Sequence, residues 1–230
     1  MKAMFLSDVI AVRKYLKQQT IIAFVVGIFV AAMSGSLYAI PPFIGFMIAF
    51  SISFTVIALD EASNWQGFRL ALPLSRADVV RGRYASLLAL TCYSTLLGVL
   101  AALIAYGLAL LFPGVSQLAE LAGAGFDGFA MAFVAVLSVF LCSTLLAVML
   151  PLCFCFGMTK AIRWVPLVAV LAFVLFFAGV GGDVTSVAWI VDAFDALLTP
   201  VGLAAMVALT VVVYGGSCLL AGKLYLKREF

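Results

Sequence analysis

Six stretches without Asp, Glu, Lys or Arg divide most of the chain, at approximately residues 21–40, 42–59, 85–112, 129–157, 164–182 and 200–222. Each is close to or above the about 20 residues that carry a helix across the hydrocarbon core. The runs are continuously apolar, whereas strands of an outer-membrane barrel alternate apolar and polar positions over about ten residues. The pattern therefore predicts six transmembrane helices. Between the first two stands Ile40-Pro41-Pro42. Two prolines there remove backbone donors and fix φ, which predicts a helix hairpin broken at that point.

Residues 1–19 have a different pattern. Phe5, Val9, Val12 and Leu16 recur at helical spacing, with Asp8, Arg13, Lys14, Lys17 and Gln18 mostly off that stripe. This predicts an amphipathic helix lying on the membrane surface, its apolar face in the acyl boundary and its basic residues reaching lipid phosphates. The basic lead and the apolar run after it are both too long for a cleaved signal peptide. The expected organisation is an interfacial helix at 1–19 and a membrane domain at 20–230. The fold class is all-α and polytopic, with both ends of the chain on one side.

Composition narrows the function classes. Of 230 residues, 67% are apolar and 10% charged, against roughly half and a quarter in soluble domains. A water-facing surface cannot hide that excess, so soluble enzymes and nucleic-acid-binding modules are excluded. Histidine is absent, which removes the commonest general base and transition-metal ligand. The five cysteines lie in apolar runs, and Cys153-Phe154-Cys155 is one residue short of a redox Cys-x-x-Cys. No catalytic or metal-ligating constellation and no phosphate-binding Gly-x-x-x-x-Gly-Lys-[Ser/Thr] loop is present. The spans hold hydroxyls but no Asp, Glu, Lys or Arg, so an ion-coupled carrier lacks its usual intramembrane titratable groups. Interhelical or backbone hydrogen bonding is the expected role of those hydroxyls.

The charges are sorted by sign. All 13 basic residues fall in 1–19, 60–84, 158–163 and the C-terminal tail. The intervening segments 113–128 and 183–199 hold Glu120, Asp127, Asp183, Asp192 and Asp195 and nothing basic. With six helices the four basic segments share one side, which by the positive-inside rule is the cytoplasm. In 183–199, Val187, Ile190 or Val191, Phe194 and Leu197 or Leu198 recur at helical spacing, with Asp192 and Asp195 on another face and Trp189 as an interfacial anchor.

The 60–84 connection is the longest hydrophilic stretch, yet it retains Trp65, Phe68, Leu70, Leu72 and Leu74 among Asp60, Glu61, Arg69, Arg76 and Asp78. A solvated linker has no use for those apolar groups. Ser75 with Asp78 is a variant of the capping box, and Pro73 blocks helix continuation from upstream. The expected form is a short helix at about 61–70, a turn at Leu72-Pro73-Leu74, and a second helix starting near Arg76 that enters the third span. Mixed apolar and charged residues at a loop tip point to a docking element for another protein.

The basic amphipathic start, the six spans, and Leu72-Pro73-Leu74-Ser75-Arg76-Ala77-Asp78-Val79-Val80 with Gly82-Arg83-Tyr84 together resemble the type-two ATP-binding-cassette (ABC) exporter permeases. The similarity is greatest to the small bacterial ones whose ATPase is a separate chain. It implies that 1–19 is the interfacial elbow, with Phe5, Val9, Val12, Arg13, Lys14, Leu16 and Lys17 as its residues. It implies a cytoplasmic coupling helix seated on an ATPase, drawing on Asp60, Glu61, Trp65, Phe68, Arg69, Leu72, Pro73, Ser75, Arg76 and Asp78. Trp189, Asp192, Phe194 and Asp195 become candidates for an outer gate. The resemblance further implies two copies of the ATPase, which would carry ATP and Mg, and a second identical or related permease. No cofactor on this chain and a multi-pass location in the bacterial inner membrane are also expected. Two other classes stay open: a non-transporting scaffold or sensor subunit, and an ion-coupled carrier.

Overall fold

The computed structural model describes residues 2–62, 76–112, 123, 125–156 and 197–226. Its long elements are five α-helices: α1 Lys2–Ser34, α2 Ile40–Ala62, α3 Arg76–Leu111, α4 Gly128–Phe156 and α5 Pro200–Leu226. A 3-10 turn, Leu37–Ala39, links α1 to α2, and no strand occurs among the described residues. Four stretches are long and apolar enough to cross a membrane: Leu37–Asp60, Ala77–Leu111, Gly128–Cys153 and Pro200–Leu224. The expected span at 164–182, the basic loop at 158–163 and the expected helix at about 61–70 lie outside the described residues.

Two expectations change. The amphipathic segment is not a separate element, because α1 runs unbroken from Lys2 to Ser34. The reason is visible in its burial: Met4, Asp8, Val12, Ala23 and Gly27 are buried, with Leu16 and Gln19 half-buried between them. Those positions form one continuous stripe at three- and four-residue spacing, so both halves of the helix face the same neighbours, α2 and α3. Val12 is fully buried and Leu16 packs on the core. The stripe expected in the acyl boundary is therefore turned largely toward protein, with Phe5 and Val9 half-buried and Arg13, Lys14 and Lys17 exposed. Asp8, expected off the stripe, lies on it.

The hairpin break also falls earlier than Ile40-Pro41-Pro42. Helix α1 stops at Ser34, and Gly35 takes a left-handed φ of 61°, the conformation that ends many helices. Pro41 and Pro42 sit in the first turn of α2, where backbone N–H groups lack intrahelical partners in any case. The prolines start the second span.

Helix α3 is the hub and packs against all four of the others. Its residues Ala101, Ala102, Ala105 and Ala109 are buried, and a Cβ placed on Gly98 would lie 2.7 Å from the Pro41 Cα. On α2 the row Ile40, Ile44, Ile48, Ile52 and Val56, each four residues from the last, is essentially buried, and Ile40 and Ile44 meet Gly27 of α1. Toward α3 the contact is made by Pro41 and Gly45, against Gly98, Ser94 and Thr95, and small side chains there bring the two backbones together. Helix α4 packs on α5 and α2. Where α4 and α5 begin, caps close their first turns: Phe129 N donates to Asp127 Oδ1 at 2.9 Å, and Gly202 N to Thr199 Oγ1 at 3.1 Å. Asp127 N also donates to the Tyr38 hydroxyl at 3.0 Å, fastening α4 to the α1–α2 turn at this far end of the bundle.

Candidate functional site

At the opposite end α2 finishes and α3 begins, flanking the connection that carries the docking pattern. Two adjacent residues of α3, Arg83 and Tyr84, gather the helices there. Successive residues point about 100° apart around a helix, so the pair reaches different neighbours.

Arg83 is 2% exposed. Its guanidinium fork is divided between two carboxylates on different helices. Nη1 lies 3.2 Å from Asp8 Oδ1 on α1, an ion pair set off the line of an N–H···O bond. Nη2 donates to Asp60 Oδ2 on α2. Ser86 completes the group, donating to Asp8 Oδ2 at 2.8 Å, with the Arg83 carbonyl at 2.9 Å as its alternative acceptor. Arginine suits this task because its planar donors are fixed in direction and its charge is permanent. From Arg83 to Leu111 α3 rises about 42 Å, more than the about 30 Å hydrocarbon core. With the far end of α3 at the opposite border, the cluster lies at the membrane edge and not at its middle.

Tyr84, 3% exposed, faces α4 and α5. Its hydroxyl lies 2.8 Å from Ser217 Oγ on α5, and Ser217 Oγ donates at 2.5 Å to the Ala147 carbonyl of α4. Since Ser217 has one proton, Tyr84 is the donor in their bond. Ala147 is available as an acceptor for a local reason: Pro151, inside α4, has no N–H to bond the carbonyl four residues earlier. A hydroxyl from the neighbouring helix fills that gap, as happens at prolines within membrane helices. Tyr214 returns a bond to the Tyr84 carbonyl at 2.9 Å, and the two rings meet at 5.0 Å and 61°. Through Arg83 and Tyr84 the start of α3 is thus tied to α1, α2, α4 and α5.

Of the residues expected at the coupling element, Asp60 joins this cluster, and Asp78 lies in the first turn of α3. Glu61 and Arg76 belong to the end turns of α2 and α3, and their side chains lie outside the described set. Trp65, Phe68, Arg69, Leu72, Pro73 and Ser75 fall outside the described residues. So do the gate candidates Trp189, Asp192, Phe194 and Asp195. The sequence reading missed Asp8, Tyr214, Ser217 and Pro151. Signals for two of them were present: Asp8 is three residues from Phe5 and four from Val12, and an intrahelical proline marks an unpaired carbonyl four residues back.

Most other intramembrane hydroxyls bond their own helix. Thr91 donates to Leu87 O at 2.9 Å, Thr144 to Phe140 O at 2.8 Å, and Thr210 to Met206 O at 2.8 Å. The Ser94 hydroxyl also lies 3.2 Å from Gly45 O, across to α2. Between α3, α4 and α5 a cleft of about 400 Å³ is bounded by Leu88, Cys92, Leu96, Val139 and Val211 among others, with the hydroxyls of Thr95 and Thr210 engaged on their own backbones. The walls left facing the cleft are apolar.

Residues 3–225 match the family model of the ABC-2 family transporter proteins. The chain belongs to that family. None of the curated proteins matches it significantly. An ABC-2 transporter protein is the membrane component of an ABC transporter and is not itself catalytic. Membership together with the apolar helices makes this a multi-pass membrane protein, a permease of the ABC class, and implies an ATPase partner. For an ABC-2 permease, the Arg83–Tyr84 junction has a meaningful position: it closes the 60–84 connection, just after Val79 and Val80 enter the buried core.

Proposed function

We propose that this ABC-2 permease is one half of an ATP-driven exporter, with its N- and C-termini in the cytoplasm. A second permease, identical or related, completes the membrane part, and the translocation route runs between the two. Two ATPase subunits, carrying ATP and Mg, dock beneath the 60–84 connection, with Asp60, Glu61, Trp65, Phe68, Arg69, Leu72, Pro73, Ser75, Arg76 and Asp78 as the coupling residues. Closure of the ATPases pushes on that connection and converts an inward-open arrangement to an outward-open one. The exposed basic residues of α1, Arg13, Lys14 and Lys17, lie against lipid phosphates, and Trp189, Asp192, Phe194 and Asp195 act at the outer gate. The cargo class is apolar or amphipathic: a hydrophobic peptide, a toxin or a drug. Helix surfaces whose hydroxyls are turned back onto their own backbones favour such a cargo over a hydrated ion.

The observation that carries this reading is the Arg83–Tyr84 junction. A push delivered to the start of α3 reaches α1 and α2 through two ion pairs, and α4 and α5 through the Tyr84–Ser217 bond. Packed, hydrogen-bonded elements of this kind carry displacement between sites when they have two discrete arrangements. The test is co-purification of an ATPase bearing a phosphate-binding loop, followed by Glu61→Arg and Arg76→Glu. Each substitution should lower ATPase association while membrane insertion is retained. Full association and ATPase activity in both variants would remove the connection from the coupling role. A chain that is functional and partner-free when alone would remove the exporter reading itself.

A further inference from the structure

On the face of α3 and α5 adjoining the junction, at the same end of the bundle, two cations border one small pocket. Arg81 comes from the start of α3 and Lys223 from the last turn of α5. The pocket is about 180 Å³, room for about six waters, and Val80, Cys218, Leu219 and Gly222 form its walls. Both basic residues are exposed, and neither makes an ion pair among the described residues. Asp78, one turn before Arg81, does not line the pocket and is itself engaged elsewhere. From the pocket toward the middle of the bundle, Leu219, Val212 and Val211 of α5 are 65%, 69% and 67% exposed, an apolar strip of the kind that meets acyl chains. Positive charge at the membrane border with an apolar strip leading away from it has the layout of a phospholipid, head and tails.

We infer that Arg81 and Lys223 form a binding site for the phosphate of an anionic phospholipid, whose chains lie along Leu219, Val212 and Val211 of α5. Basic pockets between membrane helices on the cytoplasmic side hold anionic head groups, and each basic residue near that surface contributes about fivefold in affinity. The carbonyl end of α5 opposes an anion by roughly two- to fivefold, which the two cations together outweigh. The pocket is too small for chains, so the head group enters and the tails remain in the bilayer. Because Tyr84 lies one helical turn after Val80 and Arg81, and Ser217 adjoins Cys218, a bound lipid sits close to the bond that joins α3 to α5. The site stands independently of the export reading.

The experiment is native mass spectrometry of the intact protein released from nanodiscs made of equal parts phosphatidylglycerol and phosphatidylcholine. The wild type should retain phosphatidylglycerol selectively. Arg81→Gln with Lys223→Gln should weaken that retention about thirtyfold, whereas Arg81→Lys with Lys223→Arg should keep it. Melting in the two pure lipids gives a second readout. The wild type should gain stability in phosphatidylglycerol over phosphatidylcholine, and the neutralised variant should lose that gain while matching the wild type in phosphatidylcholine. Equal retention by the neutralised variant, or equal retention of both lipids by the wild type, would overturn the assignment.

Discussion

Arg83→Met removes the cation between Asp8 and Asp60 while keeping an unbranched side chain of comparable girth. Two carboxylates then face each other without their counter-charge, one of them only 2% exposed and the other 17%. Breaking a buried pair by deleting one partner costs about 3–5 kcal/mol, mostly from the stranded charge. The exposure of Asp60 admits some solvent, so the lower half of that range is expected, roughly 3–4 kcal/mol. Set against a total stability of about 5–15 kcal/mol, this is a large fraction. Asp8→Asn should cost less, about 1–2 kcal/mol, because the Arg83–Asp60 bond survives and the amide oxygen still accepts from Ser86. Converting all three, Arg83→Met with Asp8→Asn and Asp60→Asn, should be less damaging than Arg83→Met alone, since no charge is left stranded. The assay is equilibrium unfolding in mixed detergent micelles, with Arg83 and Asp8 treated as a double-mutant cycle. Residues in one ionic network couple by about 0.5–3 kcal/mol. A coupling energy below that range, or a triple variant weaker than Arg83→Met, would refute the assignment of Arg83 as the tie among α1, α2 and α3.

The other predictions concern the remaining joints. Ser217→Ala strands the Ala147 carbonyl and removes the acceptor of Tyr84, costing about 1–3 kcal/mol. In a Pro151→Ala background the same change should cost less, because an alanine at that position supplies the missing N–H; equal costs in both backgrounds would contradict the proline–serine pairing. Gly98→Ala drives a Cβ to 2.7 Å from the Pro41 backbone and should destabilise by about 1–3 kcal/mol. Gly107→Ala, where nothing lies within 4 Å, should be neutral or stabilising by up to about 1 kcal/mol in the same unfolding titration. Thr210→Val keeps the shape of a side chain whose hydroxyl bonds only its own helix, and stability should stay within about 0.5 kcal/mol of wild type.

Much of this architecture is legible before any coordinates. Continuous apolar runs mark where α2, α3, α4 and α5 must be, because an unbroken lipid-compatible stretch has few alternatives to a helix. Segregation of basic from acidic connections predicts which ends lie together, and the structure joins Asp8, Asp60 and Arg83 at one end and Tyr38 and Asp127 at the other. The expected start of α3 near Arg76 agrees with the observed one, with Asp78 in its first turn. These are properties of single segments and their immediate neighbours.

Other features depend on which faces meet. Periodicity alone assigns Phe5, Val9, Val12 and Leu16 to an apolar stripe but not to lipid or protein, which look alike to an aliphatic side chain. Only the packing of α1 on α2 and α3 turns that stripe inward and makes Asp8 a buried partner of Arg83. Likewise Arg83 has the same composition signature as any loop cation at a membrane border, and its role is decided by two carboxylates 75 and 23 residues away in the chain. A proline announces a free carbonyl, but only the approach of α5 shows that Ser217 fills it. The sequence by itself determined where α2, α3, α4 and α5 lie and which ends carry basic residues, because burial in lipid and charge at its border act on local composition. The tertiary structure decided the junction, because ion pairs and hydrogen bonds require atoms to meet within about 3 Å, and no one-dimensional pattern carries that distance.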